Sequence, residues 1–304
     1  MCMAPREQKE EILRWAKAEG LVAGIASVAA DLRAEYFRKW IAEGQHAGMK
    51  WMDNYKRIIP RAVMPEVRSV VVVGMNYYQT PPEREGKISL YAQGEDYHKV
   101  LLEKLKRLCA VMEAWGGLQK PYVDTGPVLE KRFGVAAGLG WQGKNTVLIS
   151  PEYGTWLFLG VILTTLELPS DKPMPDRCGS CTRCMSACPT GAITAPHQLD
   201  ARKCFEYWTV EHKGEFPEEF HAAIGDRLFG CDDCLSVCPW NKFAKESHEM
   251  RLKAKAYPSA TEILTMDEAG FEKTFAGTPI ERLGLERLKR NARIVVANGK
   301  VKLT

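Results

Sequence analysis

The sequence of 304 residues has no segment near the roughly 18 consecutive apolar residues of a membrane span, so a membrane role is not expected. Its first fifteen residues, MCMAPREQKEEILRW, contain no apolar core and no small-residue cleavage site, and predict no secretory signal. A GxGxxG at a strand–helix junction is missing, as is a Walker A sequence, so flavin, nicotinamide or phosphate binding of the common kinds is not indicated. Neither sign of charge dominates. The 42 Lys and Arg against 38 Asp and Glu leave a net charge of +4, too weak to mark a nucleic-acid binder. Cysteine is scarce outside one window, because eight of the ten fall between Cys178 and Cys238. A cytoplasmic protein is the simplest reading, and in that reducing compartment such clustering asks for metal rather than disulfides.

The first cysteine run is Cys178-x2-Cys181-x2-Cys184-x3-Cys188-Pro189, the bacterial ferredoxin spacing. The corners of an iron–sulfur cubane are only a few ångströms apart, so three ligands must come from one tight loop. Two-residue spacers let successive thiolates face inward. The fourth cysteine, before proline, leaves toward the other cluster. The second run, Cys231-x2-Cys234-x3-Cys238-Pro239, lacks a leading cysteine, and Cys204 can replace it. The crossover rule then gives two complete sets: Cys178, Cys181, Cys184 and Cys238 for one [4Fe–4S] cluster, and Cys188, Cys204, Cys231 and Cys234 for the other. Structural zinc also uses CxxC pairs, but the x2-x2-x3-Pro run is much rarer there. Cys109 reads as a buried apolar thiol in a helix and Cys2 as part of a mobile terminus.

Two clusters carry single electrons and make no bonds by themselves, so the residues before them must build the acceptor. Helices are expected over 5–19, 29–44, 97–115 and 128–137, and strands over 21–28, 69–75 and 122–123. Two further strands, 146–150 and 156–165, are joined by a turn at 151–154. Residues 79–94 read as a loop. This order suggests a mixed α/β sheet. Three regions follow: a catalytic domain over 1–170, a two-cluster module over 171–241 and a tail over 242–304. The informative stretch before the cysteines is VDTGPVLEK, then GLGWQGKNT. Asp124 ends a strand between apolar residues, where burial would raise its pKa and let it hold a proton. A turn or N-cap aspartate before Pro127 is the competing reading.

Taken in order, VDTGPVLEK, GLGWQGKNT, the CxxCxxCxxxCP run with TGAI, DARKC and GCDDCLSVCPWN resemble the epoxyqueuosine reductase family over about 49–298. The resemblance implies an α+β chain: a nitroreductase-like, mixed α/β cobalamin-binding domain carrying a bacterial ferredoxin-like two-cluster insert. It implies reduction of the epoxide of epoxyqueuosine to queuosine at the wobble position of tRNA. That reaction needs two electrons and two protons and loses water. It makes Asp124 the general acid, and places Arg57 (in YKRIIP), Tyr97 and His98 (in DYHKV), Lys144 and Asn145 (in GKN) and Glu211 (in YWTVEHKG) at the cofactors. The implied partners are the tRNA anticodon loop and an unidentified reductant protein.

Beyond the cysteines, Thr278-Pro279-Ile280-Glu281 reads as a capping box opening a helix to about residue 297, with Ile280, Leu283, Leu288, Ala292 and Val295 on one face. Arg282, Lys289, Arg290 and Arg293, joined by Lys300 and Lys302, form a solvated face or a stripe for tRNA phosphates. The TPI…RNA string also resembles the family, whose longer members continue into a helical-repeat region that this chain, ending at Thr304, does not show. Two other readings are a corrinoid reductive dehalogenase, disfavoured by the missing twin-arginine signal, and a non-catalytic electron carrier, which would not need the large N-terminal region.

Overall fold

A computed structural model describes residues 3–80 and 86–301 of the chain. Cys2 and Lys302 lie outside the described residues, as does part of the predicted 79–94 loop.

The continuous β-branched run makes β2 (Ser69–Asn76), after α1 (Pro5–Ala18), β1 (Val22–Ser27), α2 (Ala34–Ala42) and the one-turn α3 (Pro60–Val63). Every residue of β2 is buried, as expected for a strand covered on both faces. The chain continues through β3 (Lys87–Ile88), α4 (Tyr97–Glu113), β4 (Gln119–Tyr122), α5 (Glu130–Ala136), β5 (Trp141–Gln142), β6 (Leu148–Ile149) and β7 (Leu157–Thr164). The main sheet has the order β1-β2-β7-β4. Its register pairs Ile25 with Val71, Val71 with Ile162, and Pro121 with Ile162. Alternate β2 side chains feed two cores. Val71, Val73 and Met75 pack with Ile12 and Ala16 of α1 and Leu101, Leu105 and Leu108 of α4. Val70 and Val72 pack with Phe133 and Ala137 at α5.

Three expectations change. The main sheet is antiparallel throughout, so it is not itself mixed. Strands expected at 146–150 and 156–165 do form, but in different sheets, since β6 pairs with β5 and β7 with β2 and β4. α2 starts at Ala34 rather than residue 29, because the Asp31 carboxylate accepts the Arg33 N–H in a turn and Arg33 takes a left-handed φ of 51°.

The cysteine module contributes α6 (Arg183–Ala187), α7 (His221–Ile224), β8 (Arg227–Phe229) and α8 (Asp233–Ser236), followed by α9 (Ala260–Thr265), α10 (Glu268–Phe275) and α11 (Leu285–Val301). Inside the predicted 79–94 loop, β3 pairs in parallel with β8 and ties the two parts together. Ile280, Leu283, Leu288, Ala292 and Val295 are all buried, and they pack on Leu228 and Phe229 of β8 and Ile88 of β3. The capping box is absent. Thr278 Oγ1 donates to Phe275 O, and Glu281 accepts the Gly277 N–H, so a short 3-10 turn at Glu281–Leu283 precedes α11. Gly284, at φ 79°, breaks the two apart. Among the described residues no helix is long and apolar enough to cross a membrane.

Candidate active site and cluster module

β4 ends at Tyr122, and the chain turns through Val123–Leu129 into α5. Gly126 is required in that turn, since a Cβ there would stand 2.3 Å from Tyr122 Cδ1. Val123 points into the core. The next residue, Asp124, points out, with φ 57° and a side chain 58% exposed. The expected burial of Asp124 is therefore corrected: past the end of β4 at Tyr122, the left-handed backbone at Asp124 turns its side chain to solvent while Val123 stays in the core. Nor is it an N-cap, because α5 begins after Leu129 with no side-chain cap.

Asp124 is held from three sides. Tyr97 Oη donates to its Oδ2 at 2.6 Å. His98 Nε2 lies 3.8 Å from the same oxygen, and the other ring nitrogen of His98 is 2.6 Å from Asp96 Oδ1. The Asp124 backbone N–H donates to Glu130 Oε1 at 2.6 Å. Burial, then the Asp124 carboxylate, raises the Tyr97 phenol well above its ordinary value, so Tyr97 remains a donor. The desolvated carboxyl that the sequence suggested at Asp124 is instead the half-buried Glu130. Burial, then the charge of Asp124, pushes Glu130 up to about 8 against the opposing Asp124 N–H and Arg57. Glu130 belongs to the VDTGPVLEK string, where no role is expected of it. Its signal was the spacing to Phe133 and Gly134, which are buried on the same face of α5.

Arg57, on the 3-10 turn Tyr55–Ile58, completes this centre. Its guanidinium is buried, and Nη1 donates to Val128 O at 3.4 Å. Burial lowers its pKa, and the charges of Glu130 and Asp124 oppose that. Arg57 Nε makes no hydrogen bond among the described residues. It is a buried donor that the edge of a polar cofactor would satisfy.

The eight module thiols separate into two neighbourhoods. Cys178, Cys181, Cys184 and Cys238 line one cavity of about 120 Å³ with Lys144, Asn145 and Trp240. Cys188, Cys204, Cys231 and Cys234 form the other. There burial, then the charges of Cys204, Cys231 and Cys188 and last that of Cys184 from the first set, raise the Cys234 thiol, and burial pushes Cys204 to about 11 and Cys231 to about 12. Free thiolates crowded together in these half-buried positions would be costly, whereas iron takes up their charge, so the donor set suits clusters. Cys109 is buried in α4, as expected.

Lys144 and Asn145 belong to this module and not to the Asp124 centre. Lys144 Nζ donates to Gly179 O at 2.7 Å and Cys181 O at 2.9 Å, and Asn145 Nδ2 donates to Cys234 O at 2.9 Å. Glu211 accepts from Arg282 at 2.8 Å, and the Arg282 charge in turn acts on Tyr91 and Tyr97.

A continuous set of contacts joins the second thiol set to the acid. Cys231 N–H donates to Glu206 Oε2 at 2.9 Å, and Tyr91 Oη donates to Glu206 Oε1 at 2.7 Å. The Tyr91 ring stands edge-on to Tyr97 at 6.1 Å, and Tyr97 reaches Asp124. Beside this path a cavity of about 690 Å³ is lined by Tyr78, Gln93 and Trp156 from one part and Cys231 and Asp232 from the other. Gln93 Oε1 and Trp156 Nε1 are buried without a hydrogen bond among the described residues. A large polar ligand touching both the sheet domain and the second thiol set fits there.

The basic stripe expected on the last helix does not form as such. Arg290 is buried and donates to Trp208 O, His212 O and Gly214 O. Burial brings its pKa down to about 10. Arg282 is paired with Glu211, while Arg293 is exposed.

Residues 177–241 match the 4Fe-4S double cluster binding domain family, and residues 57–125 match the family described as epoxyqueuosine reductase QueG, DUF1730. An epoxyqueuosine reductase of Xanthomonas campestris is 40% identical over 90% of this chain and 82% of its own length. One of Synechocystis is 42% identical over 89% of this chain and 98% of its own. A crystal structure of epoxyqueuosine reductase with an epoxyqueuosine-modified tRNA-Tyr stem loop superposes with a TM-score of 0.90 at 31% identity, covering 95% of this chain and 81% of that one. A catabolic reductive dehalogenase shares the fold at a TM-score of 0.52 and 16% identity, over 99% of this chain and 37% of that one. With its antiparallel α+β domain, its two sets of four thiols and an acid presented on a pinned loop, the chain belongs to the epoxyqueuosine reductase family.

Proposed function

We propose that the protein reduces the epoxide of epoxyqueuosine in tRNA to the alkene of queuosine, with Asp124 as the proton donor. The observation that carries this reading is an acid that is exposed yet held by Tyr97 at 2.6 Å and by Glu130 through its backbone. An exposed acid can meet a base carried on a macromolecule. The balance is epoxide plus two electrons and two protons giving alkene and water. An alkoxide is a poor leaving group, so protonation of the oxygen as the C–O bond breaks lowers the barrier.

Cobalamin, when bound, supplies a low-valent cobalt nucleophile, and the two [4Fe–4S] clusters supply electrons one at a time. Arg57, Tyr97 and His98 are the residues proposed to hold the cofactor beside the acid, with Glu211 acting through Arg282. Lys144 and Asn145 hold the cluster loops. Cys178, Cys181, Cys184 and Cys238 are assigned to one cluster, and Cys188, Cys204, Cys231 and Cys234 to the other; the shared 120 Å³ cavity supports the first set. The contacts from Cys231 through Glu206, Tyr91 and Tyr97 support the second cluster as the one nearer the reaction. Electrons come from a reductant protein, and a cytoplasmic location follows from a tRNA substrate.

The test is single-turnover reduction of an epoxyqueuosine stem loop with the cobalt already reduced, which bypasses the clusters. Asp124→Asn keeps the shape and is expected to slow turnover by at least about 100-fold, the loss typical of a missing general acid. Near wild-type turnover would remove Asp124 from the mechanism.

A further inference from the structure

We propose that the segment from Lys50 to Ile59 is an RNA platform, on which Trp51 and Tyr55 stack unpaired anticodon-loop bases while Lys50 and Lys56 hold their phosphates. The proposal rests on the reading of the substrate as tRNA and adds which surface receives it.

Exposed apolar side chains are concentrated on this segment. Six large hydrophobics are strongly exposed among the described residues, and three lie here: Trp51 at 50%, Tyr55 at 63% and Ile59 at 42%. They interleave with exposed Lys50 and Lys56, and neither lysine has an ion pair among the described residues. Aromatic faces alternating with free cations suit single-stranded RNA, whose unstacked bases seek π surfaces and whose backbone seeks cations.

The segment is also rigid and correctly placed. Two short 3-10 turns, Lys50–Met52 and Tyr55–Ile58, carry the aromatic residues, and Asn54 Oδ1 accepts the Lys56 N–H between them. On one side Gly48 N–H donates to Tyr207 Oη at 3.0 Å, a close approach that a Cβ at Gly48 would block at 2.7 Å. On the other side Arg57 donates to Val128 O on the turn that follows Asp124. The Arg57 guanidinium lies 5.1 Å from the Trp51 ring centroid, so the aromatic surface runs continuously into the acid centre. A base presented to Asp124 would have its loop neighbours over Trp51 and Tyr55.

The experiment measures fluorescence anisotropy of a labelled anticodon stem–loop RNA with the anaerobic holoenzyme. Trp51→Ala and Tyr55→Ala are each expected to weaken binding by about 10-fold or more, and Trp51→Phe to retain most of it. Lys50→Ala and Lys56→Ala should each lower the slope of log affinity against log salt by about 0.7. Corrin and cluster absorbance should match wild type in all variants. Unchanged RNA affinity in Trp51→Ala and Tyr55→Ala would overturn the platform while leaving the reaction intact. Loss of bound cobalamin in Trp51→Ala would reassign the ring to the cofactor and also overturn it. A wild-type holoenzyme that bound no stem loop would instead remove the tRNA reading itself.

Discussion

Asp124 and Glu130 are joined by one hydrogen bond and have opposite surroundings. One faces solvent, where it can meet substrate; the other is half-buried and fixes its backbone. The flanking Val123 and Val128 are what made Asp124 look buried in the sequence, and both are indeed in the core. What sequence could not show is the left-handed turn that rotates the residue between them outward. The raised pKa of Glu130 has a testable sign. Its folded-state value of about 8 lies above the ordinary 4.5, so the native state keeps a proton that the unfolded chain releases. This contribution to stability is full below 4.5 and is lost as pH rises to about 8. Glu130→Gln keeps the acceptor for the Asp124 N–H and cannot ionise. Its thermal midpoint should therefore gain on wild type as pH is raised through that window. Infrared difference spectra should show a protonated-carboxyl stretch in wild type at neutral pH that the variant lacks. A wild-type spectrum without that band would mean that Glu130 is ionised.

At the scale of elements, the ligand loops were readable because cluster geometry fixes spacing along the chain. The strand partners were not, because register is set by contacts between segments far apart in sequence. Thus spacing alone singles out the eight cysteines as ligand candidates, while the β3–β8 pair was hidden inside what looked like a loop. The tail illustrates the same limit. Its apolar face was legible from periodicity, but Arg290 reads as a surface residue until Trp208, His212 and Gly214 are seen to present three carbonyls to it. Cys204 is the element-scale test of the ligand assignment. It follows the 3-10 turn Ala201–Lys203, alone in sequence, yet its charge acts on Cys231 and Cys234. Cys204→Ala should damage the second cluster and spare the first, whose four thiols share a separate cavity. EPR of the reduced variant with two intact cluster signals would show the assignment to be wrong.

For the whole molecule, the question is what holds the cysteine loops in place. The sheet domain has apolar cores on both faces. A third core joins β3, β8 and α11, and Asn291 of α11 donates to Thr209 O and Leu228 O to lock it. The ligand loops have less support: a small fourth core of Phe205, Phe216, Ile224 and Ile294 reaches Cys231. α6 and α8 span five and four residues and bury none of them, too short to persist as isolated helices. Iron–thiolate bonds must then supply the order that apolar burial does not. Analysis of the anaerobically reconstituted protein should give about eight irons per chain, four for each of two clusters. A value near four, or stoichiometric zinc, would reject the two-cluster assignment. Removing the iron with a chelator should speed amide hydrogen exchange over residues 178–204 and 231–241. Exchange in β2, β7 and α11 should stay slow, because their burial does not depend on metal. Fast exchange in β2 and β7 as well would mean that the clusters hold the entire fold together, and that the apolar cores cannot sustain the sheet domain alone.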